Sequence, residues 1–304
     1  MALFFEMLSL QGMLFLLILT GVLCNKLHII TEAGRKTLSD LLINVILPCS
    51  IVSSFLSGTQ LPDGFARNCV LAVVLSAAIQ MVAIFGSRLV FRRYRREERT
   101  VLSYGMICSN SSFVGLPMAQ ILFGDLGVIY TSVFQIPIRF TMWSSGLSLF
   151  TSVSRRDVLR KVLLHPCIVS IFLGLVLMFV PVPIPAFLRN TLSTTGGCTI
   201  PVSMLVIGSI LADAPIRSLF SRDVLWYTCL RLVLFPALVY VLLLPLPLDP
   251  ILKSLSLLMS GMPAGSTTSI LADKYDCDAL FASEITFAST LFSIVTVPLL
   301  SLLM

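Results

Sequence analysis

The sequence predicts an all-α membrane protein of ten transmembrane helices, arranged as two inverted sets of five. Three observations carry that prediction. Of 304 residues, 57% are hydrophobic and 12% charged, and the mean hydropathy is +0.98, far above soluble domains. Ten apolar runs are separated by short polar breaks, and at about 20 residues per span they leave no room for a sizeable soluble domain. Lys and Arg alternate in density from one break to the next, as topology requires.

The runs lie at about 4–23, 38–57, 66–90, 101–122, 127–151, 163–180, 188–211, 224–244, 251–272 and 279–303. The first lacks a basic leader and a small-residue cleavage site, so it reads as a retained helix rather than a secretory signal. The breaks are HIITEAGRK, GTQLPDG, RRYRREER, FGDLG, VSRRD, PVPIP, ADAPIRSLFSRD, PLPLDP and DKYDCD, all rich in turn formers or charge. Of 21 cations, 16 lie in the odd-numbered breaks, with Arg92, Arg93, Arg95, Arg96 and Arg99 the densest cluster. Only Arg67, Arg189 and Lys253 lie in even breaks, and Arg139 and Arg231 fall inside spans. The positive-inside rule then makes the odd loops cytoplasmic and puts both termini on the non-cytoplasmic side of the plasma membrane. The aromatic-interleaved RLVFRRYRREER reads as a topology determinant with snorkelling arginines rather than a nucleic-acid site. The eight cysteines are scattered singly and read as free thiols. His28 and His165 sit at span edges, which argues against a zinc or haem centre, and no cofactor or metal is expected.

An offset of 153 residues superposes Gly21 on Gly174, Lys36 on Arg189, Leu47-Pro48 on Ile200-Pro201 and Ser50 on Ser203. An offset of 146 matches Gly115-Leu116-Pro117 in the fourth span to Gly261-Met262-Pro263 in the ninth. The domain reading is therefore a first five-helix repeat over 1–153 and a second over 154–304. Five spans per repeat force the second to enter the membrane from the opposite side, a hallmark of secondary transporters.

Each Gly-X-Pro sits at mid-span beside hydroxyl or amide side chains. Proline removes an amide donor and glycine eases unwinding, so both helices are expected to break near the midplane. Freed backbone cannot face lipid and must line a cavity or be held by protein. Ser109, Asn110, Ser111 and Ser112 with Pro117, and Ser266, Thr267 and Thr268 with Pro263, are the candidate groups there. Arg139, central in the fifth span, is a candidate for holding a substrate carboxylate with Gln135, the alternative being a bond to carbonyls of a broken helix. Glu284 reads either as a proton or cation carrier or as a residue of the inner vestibule, with Arg231 a candidate partner for it. Asn44, before Pro48, is a candidate to face the cavity, or else to pack. No nucleotide-binding motif, HExxH or Ser/His pair is present, so no enzyme is indicated.

NSSFVGLP at 110–117, NVILPCS at 44–50 and GMPAGSTTSILADKYDCDALFASEITFASTLFSIVTVPLL at 261–300 resemble the auxin efflux carrier family. That family includes plant auxin exporters and bacterial permeases for malate, malonate and similar acids. The resemblance implies a fold akin to bile-acid sodium symporters. Spans 1, 2, 6 and 7 would form a scaffold, and spans 3–5 and 8–10 a moving transport unit. It further implies substrate contact at Asn110, seven residues before Pro117, and a homodimer through the scaffold helices. The expected partners are a small organic acid and membrane lipid, with no nucleic acid. About a dozen residues join spans 5 and 6, which favours a compact bacterial-type permease over an auxin exporter. Sodium-coupled uptake and a non-transporting receptor remain as alternatives.

Overall fold

The computed structural model describes residues 2–56, 63–151, 154–180, 183–212, 221–265, 267–275 and 277–304. The described residues are helical, and the one non-helical pairing among them is an isolated antiparallel bridge between Ser109 and Ala264. In chain order the helices are α1 (Ala2–Lys26), α2 (Glu32–Leu41), α3 (Leu47–Leu56), α4 (Phe65–Val90), α5 (Arg96–Ile107), α6 (Leu116–Thr141), α7 (Arg155–Leu163) and α8 (Pro166–Phe179). They continue with α9 (Ala186–Gly197), α10 (Thr199–Ala212), α11 (Arg222–Cys229), α12 (Phe235–Leu243), α13 (Pro250–Ser260), α14 (Thr267–Lys274) and α15 (Ala279–Ser301). Among the described residues six continuous helical stretches are long and apolar enough to cross a membrane, and a bent pair over 156–177 makes up to seven. None of the eight cysteines, all among the described residues, forms a disulfide.

Proline explains three irregularities. Wide π turns at Leu42–Ile46, Ser111–Gly115 and Leu230–Leu234 each end two residues before Pro48, Pro117 or Pro236. A proline cannot donate to the carbonyl four residues back, and its ring presses on it, so the helix widens by one residue. Leu47 N–H accordingly reaches Leu42 O, and Phe235 N–H reaches Leu230 O. A different break lies within α6 at Gly124, with φ 59° and ψ −146°. A side chain is strained in that conformation, and a β-carbon at Gly127 would strike the Ala119 carbonyl and the Phe123 side chain. The chain therefore turns here, at the FGDLG punctuation.

The chain divides into two compact units. Unit 1 comprises Met1–Arg67, Ser112–Val133 and Leu163–Asp213, and unit 2 comprises Asn68–Ser111, Phe134–Val162 and Ala214–Met304.

In unit 1, α1 packs along α10, and α3 packs on α8 and α9. Small residues permit the closeness. A β-carbon at Gly208 would meet the Ile18 carbonyl and Gly21 Cα, one at Gly174 would meet the Phe55 ring, and one at Gly196 would meet Ser50 Cα. Asn25 and Arg35 donate to the Ser209 carbonyl near the α10 C-terminus, at 3.3 and 3.1 Å, where the arginine complements the helix dipole. Phe65 stacks on Tyr130 with centroids 5.7 Å apart.

In unit 2, α15 is the central element, packed by α5, α11, α13 and α14. Ile84, Tyr104, Ile107, Cys108, Leu147 and Leu271 form a buried cluster that Trp143, Phe150 and Tyr275 cover. At the polar end, Tyr94 donates to Asp223 Oδ1 at 2.9 Å. Burial and that carboxylate push its hydroxyl up to about 12. Arg95 pairs with Glu98 one turn on.

Candidate functional site

Helix α5 ends at Ile107, and Cys108 N–H closes its last turn on the Tyr104 carbonyl. Cys108 itself is extended, with φ −105° and ψ 97°. The chain then passes through Ser109 and Asn110 before the π turn at Ser111. On the other side α13 stops at Ser260, and helix resumes at Thr267. The two non-helical stretches pair antiparallel: Asn110 N–H donates to Pro263 O at 2.8 Å, and Gly265 N–H donates to Cys108 O at 2.8 Å. A third freed amide, that of Ala264, donates to Ser289 Oγ of α15 at 3.2 Å. Buried and left without a partner, each such group would cost about 1–3 kcal/mol, so this pairing is what allows both helices to stop inside the protein. Gly265 has a reason to be glycine, since a β-carbon would stand 3.1 Å from the Cys108 carbonyl.

Polar side chains gather around this pairing in unit 2. Gln135, in the last two turns of α6, donates to Ser111 O at 3.1 Å, and Arg139 Nη2 donates to Gln135 Oε1 at 3.2 Å. The i, i+4 spacing places both on one helix face. The guanidinium is thus tied to the end of the unwound segment, although Arg139 is only 8% exposed. An arginine inside an apolar span costs about 2.5–3.5 kcal/mol to insert, and its hydrogen bond to Gln135 offsets part of that cost. Asn110 is 8% exposed, and its carboxamide makes no hydrogen bond to a described residue. Tyr104 Oη donates to Thr267 Oγ1 at 3.3 Å, and Ser269 Oγ to Thr286 Oγ1 at 3.4 Å. The buried Thr268 hydroxyl has no partner among the described residues.

Of the residues singled out from sequence, Ser109, Asn110, Ser111, Gln135, Arg139, Pro263, Thr267 and Thr268 come together in unit 2. Ser112 and Pro117 belong to unit 1, and Ser266 lies outside the described residues. Asn44, also in unit 1, is exposed there and donates to its own helix at Asp40 O, 2.8 Å away. Glu284 is 9% exposed on α15. The candidate pairing of Arg231 with Glu284 is not made: both are described, and Arg231 Nε has no hydrogen-bond partner among the described residues. Sequence reasoning missed Ser289 and Tyr104. Each is one hydroxyl in an apolar stretch, and only the fold distinguishes it from its neighbours.

Long apolar helices and a buried, polar, unwound centre define a multi-pass membrane transporter of a small molecule. The family model described as "Membrane transport protein" matches residues 12–157 and 150–301. The chain belongs to that family, the auxin efflux carrier family. It is 26% identical over 298 residues, 95% of both chains, to a protein of Methanothermobacter thermautotrophicus named "Uncharacterized transporter". It is 22% identical over 270 residues, 86% of this chain and 84% of the other, to a protein of Rhizobium meliloti named "Putative malonate transporter".

Proposed function

We propose that the chain is a secondary transporter that moves a small organic anion, such as malonate or malate, by alternating access. The substrate binds at the paired stretches of Cys108–Asn110 and Gly261–Gly265. The observation that carries this reading is the Asn110 carboxamide, unbonded to described residues, next in sequence to Ser111, whose carbonyl accepts from Gln135, which in turn accepts from Arg139. An anion there meets a guanidinium and an amide, both suited to carboxylate. The Rhizobium relative's name points the same way.

Ten spans in two inverted repeats, 1–153 and 154–304, fit the helices if Gly124 divides the stretch 111–149. The fourth span is then α5 with the start of α6, and the ninth is α13 with α14. Helices 1, 2, 6 and 7 act as scaffold while 3–5 and 8–10 carry the substrate. Unit 1 holds spans 1, 2, 6 and 7 together with Ser112–Val133, and unit 2 holds spans 3, 8, 9 and 10 with the rest of spans 4 and 5. The odd loops face the cytoplasm, and both termini lie outside the plasma membrane. Sodium coupling is the second reading, favoured by the buried Thr268 hydroxyl with no described partner.

Uptake or counterflow of radiolabelled malonate, malate and aromatic acids into proteoliposomes tests all of this, with sodium and proton gradients imposed in turn. Flux of a dicarboxylate is expected. No flux of any acid overturns the reading, and dependence on sodium selects the second one. Asn110→Ala should lower flux by about a hundredfold or more with the protein still folded; normal flux would remove the site from Asn110.

A further inference from the structure

Unit 2 encloses a second arginine that the site above leaves unused. Arg231 lies in the π turn Leu230–Leu234, 2% exposed, with its guanidinium carbon 5.3 Å from the Phe235 ring centroid. No described carboxylate pairs with it, and its buried Nε has no hydrogen-bond partner among the described residues. One helical turn earlier, Tyr227 is fully buried, and its hydroxyl also has no partner among the described residues. That hydroxyl fills the space a β-carbon would need at Gly105 of α5. The Tyr227 hydroxyl thus stands three residues before Cys108 along the α5 segment. Cys108 is the residue whose carbonyl accepts from Gly265, so the pair adjoins the unwound centre from the α5 side. Pro236 accounts for the geometry, since it opens the π turn that carries Arg231.

A cation and a hydroxyl, both enclosed, one helical turn apart and without acceptors among the described residues, make up the donor set of an anion site. We infer that Arg231 and Tyr227 form a second anion subsite, separate from the Gln135–Arg139 arm, that takes a carboxylate group. The occupant's identity rests on the organic-anion reading above; the existence of the subsite does not. The carboxylate is supplied either by the far end of a dianionic substrate or by a separate monoanion.

The test uses the purified full chain in detergent micelles, with thermal unfolding followed as sodium malonate, sodium acetate or sodium bromide is titrated at constant ionic strength. Malonate is expected to stabilise the wild type. Tyr227→Phe and Arg231→Gln should each weaken that binding by about tenfold or more, as loss of a hydrogen bond to a charged group does. Tyr227→Phe deletes one enclosed oxygen, so it is the variant that keeps its fold. If it binds malonate and bromide like the wild type, the subsite does not exist, all the more so if it is also more stable. A malonate preference over acetate that vanishes in both variants supports the dianion source, and equal binding of acetate and bromide, lost in both variants, supports the separate monoanion. Should the wild type respond to bromide alone, and the variants not, the subsite stands and the organic-anion reading falls. Should Asn110→Ala lose malonate while Tyr227→Phe and Arg231→Gln keep it, the reading stands and the subsite falls.

Discussion

Glycine brings backbones together in both units of this chain, with opposite results. In unit 1, Gly21 and Gly208 let α1 and α10 approach until each would leave no room for a β-carbon on the other, and both helices continue through the contact with their hydrogen bonds intact. In unit 2, Gly265 brings backbone against Cys108, but Pro263 stands two residues away and both chains have left the helix. Their amides and carbonyls must then bond to each other and to Ser289. Close approach alone makes a seam; close approach with proline and hydroxyl side chains makes a polar centre.

The largest effect is expected where the seam has nothing that can yield. In Gly208→Leu the new side chain meets the Ile18 carbonyl and Gly21 Cα, which are backbone, and overpacking of that kind costs about 3 kcal/mol or more. Thermal unfolding and size-exclusion profiles should show a strongly destabilised or misassembled protein. Wild-type stability would mean that α1 and α10 do not meet at these glycines. Arg139→Gln probes the other side of the comparison. It removes a cation tied through Gln135 to the unwound segment, so substrate affinity should fall by about tenfold or more while the fold is retained. Unchanged affinity would reassign Arg139 to a structural role.

Which parts of this were legible in the sequence follows from what each signal depends on. Pro117 and Pro263 change local backbone geometry wherever they stand, so a break beside each was readable without the fold. Gly124 was readable too, because FGDLG concentrates turn formers. Arg139 stood out because charge is scarce inside apolar runs. By contrast, Ser289 looks like any hydroxyl that bonds back to its own helix, as Thr290 does to Thr286 O at 2.7 Å. Only the packing of α15 brings it to the Ala264 amide. The expectation that Arg231 would pair with Glu284 rested on similar depth in two spans, and depth says nothing about which way a helix is rotated.

Ser289 therefore offers the finest test of the comparison. In Ser289→Ala the Ala264 N–H loses its acceptor while the Asn110 and Gly265 pairing keeps both of its bonds. One buried amide left open among several satisfied ones should cost about 1 kcal/mol, small against the Gly208 effect. Because Ala264 lies between Pro263 and Gly265, that loss should loosen the pairing beside Asn110, lowering substrate affinity more than thermal stability suggests. Gly21→Ala in the seam should do the reverse, lowering stability with affinity unchanged. If Ser289→Ala shifts stability and affinity in the same proportion as Gly21→Ala, the unwound centre is packing like any other, and the contrast between the two glycine contacts fails.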